Sequence, residues 1–501
     1  MHKTVRVLAI MVLTIIAAAE TCSQTRSGFH LKNEIKNDAG DDIVVTKLFP
    51  GENKLLVVGK KSVRLWDLTG AKVVSSCAID VPEMTEDHPR LISPNGRFML
   101  VSGNYDSRQK RDKTKRPASV WSVETCKQLV AFDSAHGRIH FAAWSRDGST
   151  LLTSDQNFAE QRQFSHSAEI FFWDGSSFHF LNHLPAKNIK WAYLTQDGSK
   201  LFYSVAEIKN WIVAKPFTFA GGPLRVWDIR TGKDEQTLPA NVSDPEQLMR
   251  NIVVSPDERM LAFVTQPPKS KDTERNLVAF DIHKSNSSYT LGRRYEIKPA
   301  QKITNLGASF SPDGKYLALT TERPDADNPD KYVLQIYAAE NGTRTAEVVS
   351  RYLTPEYWLI NNQVLLFNNY TSMEAAEVSS GKRLYEHELI YDSHQDSVDF
   401  AGSSDQYTWI TVDETKIMPH PNGLLFLTYS NQYVKVYDAQ SGAILQTLVE
   451  PPIDTSKPVD PKKGPRLSKK WLVNFADWAD NGNMIYIINA HNTSISLWTV
   501  N

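Results

Sequence analysis

The stretch Leu224 to Lys233 reads Leu-Arg-Val-Trp-Asp-Ile-Arg-Thr-Gly-Lys, and versions of it recur along the whole chain. Self-similarity of this kind constrains a fold strongly, because each copy is one unit that must stack on its neighbours. Leu224 to Ile229 places bulky residues on both faces, as a strand buried on two sides does. Asp228 opens a turn, and Gly232 supplies the positive φ that a short hairpin with a bulge requires. Trp227 is too large for one sheet to bury alone, so a neighbouring sheet is implied.

The equivalent anchors are Trp66, Trp121, Trp173, Trp227, Phe280, Tyr337, Ala376, Tyr437 and Trp498. Their spacings are 55, 52, 54, 53, 57, 39, 61 and 61. The 39 and 61 around Ala376 together make two ordinary units, so a degenerate unit is read there. Upstream of most anchors sits a second signature, as in Ile92 to Arg97, Trp144 to Ser149, Leu194 to Ser199, Val254 to Arg259 and Phe310 to Lys315. Its fullest form, Ser-Pro-Asp-Gly, is a turn in which Pro presets φ and Gly takes the left-handed position. Each unit is therefore a four-stranded meander, with strands a to d.

These features resemble the β-propeller proteins of the WD-repeat type and their bacterial Pro-Asp-rich relatives. The resemblance rests on Leu65-Trp66-Asp67, on Val226-Trp227-Asp228-Ile229 and on the Ser-Pro-Asp-Gly turns, and covers nearly all of residues 28 to 501. The third unit is closest, with His136-Gly137, Trp144-Ser145-Arg146-Asp147-Gly148 and Phe172-Trp173-Asp174. In WD repeats such a His joins a network that supports the Trp; the other units lack the pair. The expectation is an all-β chain forming a single propeller of nine four-stranded blades, with eight as the alternative if the Ala376 unit is an irregular excursion. The last unit runs out after its c strand, near Ser494 to Val500, and Phe29 to Ile35 is an orphan strand. That strand is expected to close the ring, which removes exposed edges.

The N-terminus departs from this pattern. Lys3 and Arg6 precede the apolar run Val7 to Ala19, which ends in three alanines. That is the form of a secretory signal over residues 1–19, followed by one propeller domain over 20–501. A membrane span needs about 20 apolar residues, so the run is too short and no later one is long enough. The expected location is secreted or periplasmic. Cys22 lacks the flanking residues of a lipid acceptor, and Cys22, Cys77 and Cys126 are too few for a disulfide framework. The net charge of −1 gives no pull toward nucleic acid or anionic membranes.

In a meander blade the b–c loops and d–a links share one face. Five consecutive b–c loops are long, over about Asn104–Pro117, Asp155–Ser167, Val205–Pro223, Gln266–Asn276 and Glu322–Asp330, and the d–a link Pro451–Lys470 joins them. Insertions confined to one face of a repeat protein mark its binding face. Asn104–Pro117 carries six basic residues, among them Lys113, Lys115 and Arg116, and Pro451–Lys470 carries six more, among them Lys462 and Lys463. Ring closure makes these two loops neighbours, a basic sector suited to an acidic protein or glycan. Trp211, Phe217 and Phe219 lie in the third insertion and are candidate recognition aromatics.

No nucleophile elbow, phosphate loop, dinucleotide fingerprint or zinc-ligand pair is present. Neither a metal nor a cofactor is expected. The Trp that docks adjacent blades in quinone-dependent dehydrogenases is absent after Gly232 and Gly442, and no room remains for a hydrolase domain. The sequence reads as a non-catalytic propeller that binds a protein partner through its long loops. The alternative is an extracytoplasmic hydrolase or oxidoreductase with dispersed residues at the channel mouth.

Overall fold

The computed structural model describes residues 28–36, 43–49, 53–59, 62–70, 72–78, 92–101, 118–132, 141–154, 170–185, 189–207, 220–237, 248–266, 275–285, 288–299, 302–322, 332–350, 357–369, 372–388, 416–430, 433–449, 473–489 and 494–500. They form nine antiparallel sheets. Blades 1 to 8 occupy residues 43–78, 92–131, 141–184, 189–237, 248–297, 302–350, 357–388 and 416–449 in chain order. Blade 2 has three strands, and Ile92 bridges to Met99 in place of its first. Blade 9 combines 473–500 with Phe29–Lys36, which pairs antiparallel with Ser494–Val500 as its d strand.

Nine apolar clusters hold the sheets together, and each spans one pair of adjacent blades. Trp227 of blade 4 packs with Leu152, Ile170 and Phe172 of blade 3. Tyr437 of blade 8 packs with Leu366 and Tyr385 of blade 7. Ile35, Tyr486 and Leu497 of blade 9 pack with Leu55 and Trp66 of blade 1, so the ring closes. The expected nine-blade propeller is what the chain forms. Ala376 is a true anchor: it is fully buried against blade 6, and Phe367 and Trp358 bring to that interface the aromatic bulk it lacks.

Two repeated devices explain the sequence signatures. In the a–b turns the hydroxyl does as much as Pro and Gly. Ser311 Oγ donates to Asp313 Oδ1 at 2.7 Å and accepts the Tyr316 N–H at 3.0 Å. Ser93, Ser145, Thr195 and Ser255 repeat that pattern, and all five hydroxyl residues are buried. In the c–d turns the Asp after the anchor accepts backbone N–H groups, as Asp174 does from Ser176 and Ser177 at 3.1 and 2.7 Å. Those bonds draw the Asp174 pKa down to about 2.

The Gly of the c–d turn is dispensable. Cys126 and Phe178 take its place with φ of 57° and 58°. A left-handed side chain costs about 1–2 kcal/mol. For Phe178 burial offsets that cost, because its ring sits edge-on to Phe98 of blade 2, 5.0 Å between centroids. Cys126 instead forms a disulfide with Cys77 of blade 1. Three cysteines did not suggest a framework, yet two of them join the first two blades.

One expectation about loops needs correction. The insertion read over Val205–Pro223 contracts to 208–219, because pairing continues to Glu207↔Ala220. In blade 5 the c and d strands are long, and two residues join them. The strands run as Asn276–Ser285 and Ser288–Ile297 and pair out to Ser285↔Ser288. The extension folds back on blade 4: Lys284 binds Asp197, and Tyr289 hydroxyl lies 3.0 Å from the same carboxylate.

Candidate functional site

The d strand is the outermost of each blade and carries one irregularity at a constant place. In all nine blades it is bulged opposite the anchor, for example between Trp66↔Val73 and Leu65↔Ser75. A bulge sets two residues against one, so two successive side chains occupy this point on the rim.

Those pairs divide the ring. They are Ile444-Leu445 in blade 8, Leu31-Lys32 in blade 9, Val73-Val74 in blade 1, Gln128-Leu129 in blade 2 and Phe180-Leu181 in blade 3. Blades 4 to 7 carry Asp234-Glu235, Arg293-Arg294, Arg344-Thr345 and Arg383-Leu384. Nine large apolar side chains are exposed among the described residues, and eight of them are the apolar members of the first five pairs. On the other arc the charges are engaged within their own blades. Asp234 bonds Arg225 at 3.0 Å, Arg294 bonds Asp281 at 2.8 Å, Arg344 bonds Glu347 at 3.1 Å and Arg383 bonds buried Glu374 at 2.8 Å. One arc of rim is thus apolar and uncovered, the other charged and internally neutralised.

The residues singled out from sequence, Trp211, Phe217, Phe219, Lys113, Lys115, Arg116, Lys462 and Lys463, lie outside the described residues. The strand ends that flank two of these insertions are described. Val101 pairs with Ser119 at the ends of one basic insertion, and the other runs from Val449 to Val473. Those flanking strands belong to blades 2, 8 and 9, which lie on the arc with the apolar rim. The rim residues themselves were missed. They stand seven and eight positions after each anchor from Trp66 to Trp227, so the register of the repeat could have found them.

A second feature lies on the opposite face, where the a–b turns of blades 6, 7 and 8 line a recess of about 880 Å³. Blade 7 has no Ser-Pro-Asp-Gly turn. Ile360, Asn361 and Asn362 turn there with φ of 51°, 52° and 67°. The repeat-breaking Asn-Asn pair was its sequence signal. Among the described residues no group of three or more His, Cys, Asp or Glu could hold a metal ion.

No family model matches the chain, and no curated protein matches it. Solved structures do. The crystal structure of the eukaryotic initiation factor aligns with a TM-score of 0.52 at 11% identity, over 83% of this chain and 90% of that one. The Dos1 propeller aligns at 0.43 and 9%, over 94% and 95%. The C-terminal WD40 domain of Sif2 aligns at 0.40 and 12%, over 95% and 99%. Identities this low establish a shared fold only, and the first alignment carries that statement.

Proposed function

We propose that the protein is an extracytoplasmic, non-catalytic scaffold that binds an acidic protein partner along the arc of blades 8, 9, 1, 2 and 3. The observation that carries the reading is the divided rim. Five consecutive blades each expose at least one large apolar side chain at one register position, and the strands that flank the two basic insertions lie on the same arc. Exposed apolar surface rimmed by charge is the composition of a protein-binding site. The lysines supply attraction and orientation for an acidic partner, and the apolar pairs supply burial. The extracytoplasmic part rests on the leader-like Lys3, Arg6 and Val7–Ala19, and the Cys77–Cys126 bond agrees with an oxidising compartment. Cleavage would leave Glu20 at the N-terminus, which sequencing of the secreted protein checks.

The test compares capture by the intact protein and three variants at low salt. Val74→Asp with Leu181→Asp removes apolar rim. Lys113→Glu, Lys115→Glu, Lys462→Glu and Lys463→Glu together reverse the basic sector. Arg344→Asp alters the other arc. An acidic protein held by the parent and by the Arg344 variant, and lost by the first two with melting temperature unchanged, is the expected result. Equal capture by all four proteins overturns the reading.

A further inference from the structure

The recess between blades 6, 7 and 8 lies on the a–b face, away from the long loops, and has its own chemistry. Its depth comes from blade 7, whose first strand is only Tyr357–Leu359 and whose turn is left-handed at three successive residues. Ile360 is β-branched, the residue type that tolerates this conformation least. Backbone strain of this kind persists where surrounding structure fixes it. Here Ile360 N–H donates to Gly423 of blade 8 at 3.1 Å, and Gln363 N–H donates back to Ile360 at 3.0 Å. The turns of blades 6 and 8 stand on either side, and the volume is in the range of small-ligand pockets.

The lining combines flat apolar faces with amides. Phe310, Tyr357 and Trp358 supply the rings, and Pro312, Pro419 and Pro421 extend them. Trp358 is held by Tyr316, stacked at 6.2 Å and 10°. Asn361 and Asn422 are exposed on the lining. Asn422 spends its Oδ1 on the Leu424 N–H at 2.8 Å, which directs its amide nitrogen elsewhere. The formal charges cancel, because Lys315 lies 3.1 Å from Asp313. Burial pushes His420 below its ordinary value, and its Nδ1 accepts the Asn422 N–H at 3.1 Å. An extended peptide would need an open strand edge, and here the Ile360 N–H is already given to Gly423.

We propose that this recess binds a neutral oligosaccharide, with sugar C–H faces against Trp358 and Tyr357 and sugar hydroxyls bonded by the amides of Asn361 and Asn422. Aromatic faces with polar groups at their margin suit a ligand that is itself apolar on one face and polar at its edge. The absence of unpaired charge selects against anionic glycans.

Calorimetric titration of the whole protein tests this with cellohexaose, chitohexaose and maltohexaose as neutral probes. A heparin hexasaccharide and decaproline are the contrasting probes. At least one neutral probe is expected to bind, and Trp358→Ala and Asn361→Gly should each weaken it by about tenfold or more. Asn361→Gly keeps the left-handed backbone and removes only the amide, so it decides the matter if the Trp358 variant does not fold. The proposal is overturned if no neutral probe binds up to about 10 mM. It is equally overturned if Asn361→Gly leaves the affinity unchanged, or if heparin or decaproline is the ligand that binds.

Discussion

Asp477 lies on the first strand of blade 9, where its Oδ1 accepts the Trp478 N–H at 2.7 Å. Burial nevertheless raises its pKa from the ordinary 3.8 to about 6. A carboxyl raised by folding costs stability above the folded value, and the cost fades as pH falls through that value toward the unfolded one. The ceiling on that cost is about 3 kcal/mol at pH 7.5 and little below pH ~4. Asp477→Asn should therefore raise the melting temperature at pH 7.5 and leave it nearly unchanged at pH 4, which paired thermal scans would measure. The turn residues show how far single positions were legible. Pro and Gly marked the a–b turns correctly. The hydroxyl that ties Ser311 to Asp313 and Tyr316 was not read, because its role depends on a bond across five residues. Glu258 stands in the Gly position of its turn at φ 55°. It accepts the Gln196 N–H at 2.6 Å and the Tyr193 hydroxyl at 2.9 Å, both in the neighbouring blade. No local signal predicts a contact between units.

Among the elements, the hairpin joining the last two strands of blade 2 has the most to lose. Cys126 sits in its left-handed position and reaches Cys77, 49 residues earlier. Closing a loop of that length removes denatured-state entropy worth about 4 kcal/mol in the chain model. Cys126→Ala should lower the melting temperature under non-reducing conditions. Cys126→Gly loses the same bond but relaxes the backbone, and should be more stable than Cys126→Ala by about 1 kcal/mol. Equal losses in the two variants would show that the positive φ stores no strain. The bond escaped the sequence because counting cysteines says nothing of register. Cys77 closes a d strand, and only the stacking of blade 1 on blade 2 brings it to the next turn. The apolar rim escaped for a related reason. Val73 and Val74 look like two successive core residues of a strand until the bulge turns both to the surface.

For the whole molecule, the repeat period carried the architecture, since one anchor per unit gives the blade count directly. The doubtful unit at Ala376 shows the limit of that reading. A blade can lose its large anchor when Phe367 and Trp358 fill the same interface. Closure depends on Phe29–Lys36. Gln446 of blade 8 accepts the Phe29 N–H at 2.6 Å, Phe29 lies 5.8 Å from Trp478, and Ile35 is buried against blade 1. Deleting residues 20–36 should lower the melting temperature sharply and expose Ser494–Val500 as an unpaired edge prone to association. Thermal scans with light scattering would register both effects, and an unchanged melting temperature would contradict the closure.

The pairing of Phe29 with Val500 also sets a clock. Translation runs at about 5–20 residues per second, so Phe29–Lys36 waits roughly half a minute to a minute and a half for its partner. For that interval eight sheets can form in order behind it, but the junction between first and last stays open. A chain interrupted before residue 494 would carry eight blades and an unpaired Phe29–Lys36 strand. Closure thus joins two strands about 470 residues apart, and a protease that recognises a free Phe29–Lys36 segment would sort closed rings from open ones.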